Sequence, residues 1–214
     1  MRRFGYFAVA ALVAVVVQTG PLTAVQAADD DKGGTISGTI EVSGVKTPEG
    51  VLVYLEKVPG EWKPPKEPAH MDQVKLQFTP HVLPIVKGTK VEFLNSDPIL
   101  HNVFWPKSQD RSYSSKNLGT WGKGGKREYT FDKEGSVVLL CNVHPEMEAF
   151  VVILQNPFSA VADKDGKYEI KGVPDGKYTL KTWYENPKKL RAKSSDVTVK
   201  AGETATVDFS LSRR

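Results

Sequence analysis

Seven consecutive residues, Cys141-Asn142-Val143-His144-Pro145-Glu146-Met147, constrain this chain more than any other stretch. They bring a thiol, an imidazole and a thioether into one short segment. Soft sulfur donors beside imidazole suit copper, and two His with one Cys and a weak axial Met form an electron-transfer copper site. The second imidazole has to come from upstream. His101 supplies it, in Asn95-Ser96-Asp97-Pro98-Ile99-Leu100-His101-Asn102-Val103. Val137 to Leu140 leads into Cys141, Ala149 to Leu154 leaves Met147, and Val91 to Leu94 leads toward His101. Each reads as a buried strand, so the ligands sit where strands end. The plainer reading of the same residues is a buried free cysteine beside surface histidines.

Cysteine usage favours the metal. Cys141 is the only cysteine among 214 residues. The N-terminus reads as a secretory signal, with Arg2 and Arg3 at the charged start and Phe4 to Val17 as the apolar region. Val25-Gln26-Ala27 is a small-residue cleavage site. The apolar region is too short to span a bilayer. With no Cys at the cleavage point, neither a lipid anchor nor a stable membrane span is expected afterwards. Residues 1–27 are therefore read as a signal peptide and the mature protein as periplasmic or otherwise exported. In such an oxidising compartment a lone thiol needs an explanation, and ligation by a metal supplies one. The formal charge of +4 falls by two once Arg2 and Arg3 are removed, which is too mild to point to nucleic acid.

Glycine and proline are frequent (18 and 14 residues) and no long helical period is present, so the fold class is all-β. Thr35 to Val42 and Val51 to Val58 read as strands. Pro59 to Pro68 is rich in proline and charge and reads as a stiff extended connector, with Trp62 able to dock on a neighbouring surface. Val74, Leu76 and Phe78 alternate as one strand. Val82 to Val86 reads as an edge strand because Pro84 cannot donate to a ladder. Lys107 to Gly125 reads as a long polar loop anchored by Tyr113, Leu118 and Trp121. Arg127 to Phe131 and Gly135 to Cys141 read as a hairpin. From Ser159 to Leu211 the chain is a series of short strands separated by turn signals.

His-Asn-Val followed by Cys-x2-His-x2-Met, with Pro145 after the loop His, resembles cupredoxins of the amicyanin and plastocyanin type. The resemblance implies a Greek-key β-sandwich over residues 70–156, binding one type 1 copper per chain through His101, Cys141, His144 and Met147. It implies that the Asn102 N–H points at the Cys141 sulfur and that its side chain ties the two ligand loops together. Pro145, which has no N–H, would stiffen the loop. The same resemblance makes the edge of His144 the electron port, with Pro98, Ile99 and Leu100 around it. Glu146 departs from amicyanin, where an aromatic residue stands, so the partner surface is expected to differ. Lys107, Lys116, Lys123, Lys126 and Arg127 offer either a basic patch for an acidic partner or an ordinary solvated loop.

Asp-x-x-Gly-x-Tyr-x-Ile from Asp163 and Val-Pro-x-Gly-x-Tyr-x-Leu from Val173 resemble carboxypeptidase-regulatory-like, transthyretin-type sandwiches. Gly-x-Ile-x-Gly-x-Ile from Gly34 matches the opening of that family. This suggests a second, split sandwich formed by residues 33–58 and 158–214, with 59–69 as linker. The alternative is one larger sheet system sharing a core. The functional expectation is an exported blue-copper electron carrier, not an enzyme, that meets redox partner proteins. A copper chaperone is one alternative. An envelope protein that binds carbohydrate or another protein through the outer sandwich is another. His70 and His81 are left over, as surface residues or as ligands of a second metal.

Overall fold

Residues 33–213 are described by the computed structural model, so the expected signal segment lies outside the described residues. Among the described residues the regular structure is all β-strand. In order, the strands are β1 (Gly34–Ser43), β2 (Leu52–Leu55), β3 (Ala69–Val74), β4 (Gln77–Thr79), β5 (Val82–Val86) and β6 (Lys90–Leu94). They continue with β7 (His101–Trp105), β8 (Lys116–Trp121), β9 (Lys126–Thr130), β10 (Gly135–Leu140) and β11 (Glu148–Leu154). The last six are β12 (Ser159–Val161), β13 (Lys167–Val173), β14 (Gly176–Trp183), β15 (Ser194–Val199), β16 (Thr204–Thr206) and β17 (Phe209–Ser212).

Pairing divides these strands into two groups. A five-stranded sheet in the order β5-β11-β10-β7-β8 faces a four-stranded sheet in the order β4-β3-β6-β9. The core between them holds Phe93, Trp105, Phe131, Leu139, Val151 and the site residues Cys141 and Met147. Phe131 alone meets Trp105, Tyr113 and Tyr129 with ring centroids 4.9–5.7 Å apart. Such tilted and edge-on pairs add to the area term of burying large rings. The remaining strands form two further sheets, β12-β2-β14-β15 and one in which β1 pairs with β13, β16 and β17. Their core includes Ile36, Ile40, Val53, Phe158, Tyr168 and Leu180. Trp62 does dock: it lies edge-on to Phe158 at 4.8 Å and its indole donates to the Val58 carbonyl at 3.1 Å. A third apolar cluster joins the two sandwiches, with Leu52 of β2 against Val82, Val152 and Leu154, flanked by Tyr54 and Trp183.

Three local expectations are corrected. Val74 to Phe78 is not one strand. Lys75 and Leu76 both have positive φ (55° and 60°) and form a two-residue turn between β3 and β4. Two left-handed residues match the twist of a tight hairpin, but neither is of the type that usually marks one. Arg127–Phe131 and Gly135–Cys141 are not a hairpin either. β9 pairs with β6, while β10 pairs with β11 and β7, so the connection crosses from one sheet to the other. The stretch 107–125 is not all loop, since β8 pairs with β7 as the outer strand of the five-stranded sheet. In the last sheet the run from Thr204 to Leu211 is divided into β16 and β17, both parallel to β1. The edge position of β5 is as expected.

Candidate metal centre

β10 and β11 run antiparallel, and the pair Leu140–Glu148 closes their ladder. The residues left between are Cys141 to Met147, so the strand register fixes both feet of this loop. Within it the Met147 N–H donates to the His144 carbonyl at 3.0 Å. That bond makes His144-Pro145-Glu146-Met147 a turn with proline second, the position its fixed φ favours. His101 opens β7 opposite Trp121 of β8, and a register shift lies between Asn102 and Phe104. The irregularity breaks the two-residue alternation, and His101, Asn102 and Val103 are all buried.

The structure brings together His101, Cys141 and His144, with ligand atoms all within 4.8 Å of one another. The two imidazole Nδ1 atoms are 3.0 Å apart, and His144 Nδ1 is 4.0 Å from Cys141 Sγ. Two ring nitrogens at 3.0 Å need a proton or a cation between their lone pairs. His101 is fully buried and Cys141 is 3 % exposed. Met147 is buried in the same core cluster as Cys141. Among the described residues this is the single group of three or more His, Cys, Asp or Glu side chains able to hold a metal ion. His70 and His81 are elsewhere: each is about half exposed and pairs with a glutamate, Glu92 at 3.9 Å and Glu185 at 2.6 Å.

Asn102, in β7, reaches β8 and the loop after Cys141. Its backbone N–H donates to Cys141 Sγ at 3.4 Å. Its side-chain amide donates to Asn117 Oδ1 at 2.9 Å and to the Gly119 carbonyl at 2.7 Å, and its oxygen accepts the Asn142 N–H at 3.4 Å. One buried amide thus links β7, β8 and the loop after Cys141. Asn102→Ala is expected to cost about 2 kcal/mol of stability by leaving these groups unpaired, read as a lower denaturant midpoint for the metal-free protein.

Asp97 was not singled out from the sequence, yet it holds His101. Its Oδ2 is 2.9 Å from His101 Nε2. The same carboxylate accepts the Lys75 N–H at 2.7 Å and the Leu76 N–H at 2.9 Å. The Leu76 N–H, then that of Lys75 and the His101 ring, keep its carboxyl below the usual carboxylate range although burial opposes this. An ionised carboxylate only accepts, so the Nε2 of His101 carries the proton and Nδ1 is left free to ligate. The available signal was an acid four residues before a candidate ligand. Outside a helix that spacing implies no contact, which is why pattern reading passes over it.

His144 is half-buried at the end of the sandwich where the loops 95–101 and 141–147 meet. Pro98 and Pro145 are exposed there, as are Ile99 (42 %), Leu100 (58 %) and Val143 (46 %). Val143 is an apolar neighbour that the sequence reading did not name. The candidate basic patch is partly neutralised: Lys126 bonds Glu92 at 2.7 Å, and the Arg127 guanidinium lies 5.2 Å from the Trp121 ring centre.

Residues 67–154 match the family of copper binding proteins of plastocyanin/azurin type, and residues 135–212 match the carboxypeptidase regulatory-like domain. The two ranges overlap over β10 and β11, whose partners β5 and β7 belong to the copper-binding sheet. β1 and β2 precede the second range but pair with strands inside it. No curated protein matches the chain in sequence. Among solved structures, the chain is similar to a reduced amicyanin variant at 20 % identity, over 49 % of this chain and 99 % of that one, with a TM-score of 0.38. It is similar to a purple cupredoxin from Nitrosopumilus maritimus at 23 % identity, over 40 % and 98 %, with a TM-score of 0.35. A copper-containing nitrite reductase from Thermus scotoductus SA-01 aligns at 28 % identity and a TM-score of 0.38, over 41 % of this chain and 22 % of the reductase. By the family matches, residues 67–154 form a copper-binding domain of plastocyanin/azurin type and residues 135–212 fall in a carboxypeptidase regulatory-like domain.

Proposed function

We propose that this protein is an exported electron carrier with one type 1 copper held by His101 Nδ1, Cys141 Sγ, His144 Nδ1 and, as weak axial ligand, Met147. The observation that carries this reading is the burial of the donor set. His101, Cys141 and Met147 are between 0 and 3 % exposed, and His144 alone reaches toward the surface. A site closed in this way gives a substrate no approach to the metal, while an electron can leave through the imidazole edge. The residues fit copper: a thiolate and two imidazoles with a thioether nearby are the donors this ion takes in such sites. Copper there supplies a one-electron couple. The protein supplies ligands fixed before binding by two strand ends, a proline turn and Asp97, so little has to move as charge changes.

Redox partner proteins meet the apolar ring around His144. A flat apolar patch with one electron-carrying edge suits brief encounters, because it imposes little directional pairing. The domain plan that goes with this reading is a cupredoxin domain at 70–156 inserted into a split sandwich of 33–58 and 158–214. The strand pairing supports it, since β3 to β11 pair only with one another. Export rests on the N-terminal signal motif.

The test is the visible absorption and EPR spectrum of the mature protein loaded with Cu(II), followed by a reductive titration. The expected result is an intense thiolate-to-copper band, a narrow copper hyperfine splitting and reversible bleaching by one electron. A colourless protein that binds only Cu(I), or the spectrum of ordinary tetragonal Cu(II), would overturn the carrier reading in favour of copper handling.

A further inference from the structure

Glu148 follows Met147 and opens β11, and its cross-strand partner Leu140 precedes Cys141. Whatever fixes Glu148 therefore bears on both feet of the ligand loop. One group outside this ladder reaches it. His81, just before β5, places Nδ1 3.1 Å from the Glu148 carbonyl oxygen and Nε2 2.6 Å from Glu185 Oε2. The His81 carbonyl accepts the Phe150 N–H at 2.8 Å. His81 thus brackets the first three residues of β11.

The geometry of the link is set by its partners. One ring nitrogen of His81 faces a backbone carbonyl and the other a carboxylate oxygen, and the contact to Glu185 is the shorter of the two. Glu185 lies just past β14, in the other sandwich. The last residue of β14, Trp183, also reaches across: Phe150 lies between His81 and Trp183, with ring centroids 5.6 and 5.5 Å away. The regulatory-like sandwich therefore grips the strand that leaves the copper loop at two adjacent points.

We propose that Glu185 and His81 are positioning residues for the metal centre. Glu185 orients His81, His81 fixes the Glu148 carbonyl, and the backbone so held carries Met147. The inference rests on the type 1 reading and deepens it, giving the second sandwich a part in setting the properties of the copper. A weak axial donor acts through its distance and direction. With Glu148 released, the Met147 thioether would donate less to a bound copper, Cu(II) would lose more stabilisation than Cu(I), and the potential would rise. A half-exposed ion pair contributes little to stability, so the role has to be read from the metal and from the local backbone.

The experiment compares the mature protein with Glu185→Ala and Glu185→Gln in two states. In the metal-free protein, amide hydrogen exchange is followed at Met147 and Phe150. In the copper-loaded protein, the reduction potential and EPR spectrum are recorded. Glu185→Ala is expected to speed exchange at both amides several-fold, raise the potential and alter the hyperfine pattern. Glu185→Gln keeps an oxygen that accepts from His81 and is expected to restore most of each property. The proposal is overturned if Glu185→Ala matches the parent in exchange and potential, or if Glu185→Gln matches Glu185→Ala, which would indicate a charge effect without positioning. A parent protein lacking a blue spectrum would sink the type 1 reading instead, and the exchange comparison would still decide whether the relay holds β11.

Discussion

Replacing Cys141 with alanine is expected to erase the intense visible absorption of the copper-loaded protein completely. The band requires a sulfur orbital overlapping the copper, and Cys141 is the only cysteine in the chain. The substitution leaves two neutral imidazoles and a buried thioether around the site, with no anionic donor among them. Any Cu(II) still bound should give the wide hyperfine splitting of ordinary tetragonal copper. The fold should survive. Cys141 is a small buried residue at a strand end, and losing one sulfur atom from such a position costs about 1–2 kcal/mol. Copper should therefore raise the melting temperature of the parent far more than that of the variant, since a ligand at 100 times its Kd stabilises by about 2.7 kcal/mol. Cys141→Ser separates packing from ligation: it keeps an acceptor for the Asn102 N–H but supplies no thiolate, and it too should be colourless. Persistence of the blue band in either variant would remove Cys141 from the ligand set.

What could be read from the sequence follows from how local each constraint is. The loop from Cys141 to Met147 was legible because its thiol, imidazole and thioether are neighbours in the chain and its flanking strands are apolar runs. His101 and Asn102 stand out by the His-Asn-Val motif, but they open a strand, β7, and do not follow the end of one as expected. The hairpin at Lys75-Leu76 was not, since its turn residues carry none of the usual glycine or asparagine. Their left-handed backbone is held by a carboxylate more than twenty residues later. The same holds for the crossing between β9 and β10. Two adjacent strands with a short link look like a hairpin, and only packing on Phe131 and the pairing of β9 with β6 send them to different sheets. The His81–Glu185 contact lies beyond any local pattern, because the two residues meet only when the sandwiches do.

Asp97 makes the strongest case for such distant constraints, and its removal is expected to be the costliest of these substitutions for the fold. Asp97→Ala strips the acceptor from two backbone N–H groups and from the buried ring of His101. An unpaired buried donor costs about 1–3 kcal/mol. Lys75 and Leu76 also sit in a backbone region unfavourable to L-residues by roughly 1–2 kcal/mol each, so without these bonds the turn has little to hold it. A loss of about 3–5 kcal/mol follows, read as a fall in denaturant midpoint at unchanged slope. Asp97→Asn separates the two duties of this side chain. Its single oxygen can take the place of Oδ2, which serves both the Leu76 N–H and His101 Nε2, so the loss of stability should be smaller. Even with that oxygen facing His101 Nε2, a neutral amide holds the ring proton there more weakly than a carboxylate and leaves Nδ1, the atom that faces His144 and would bind copper, a poorer donor. Copper affinity should fall by about 10–100-fold, the usual cost of losing a partner behind a ligating histidine, measured by competition with a chelator of known affinity. Parent-like copper binding in Asp97→Asn would show that the carboxylate serves the Lys75-Leu76 turn alone. Parent-like stability in Asp97→Ala would show that the turn is held by its strands without it.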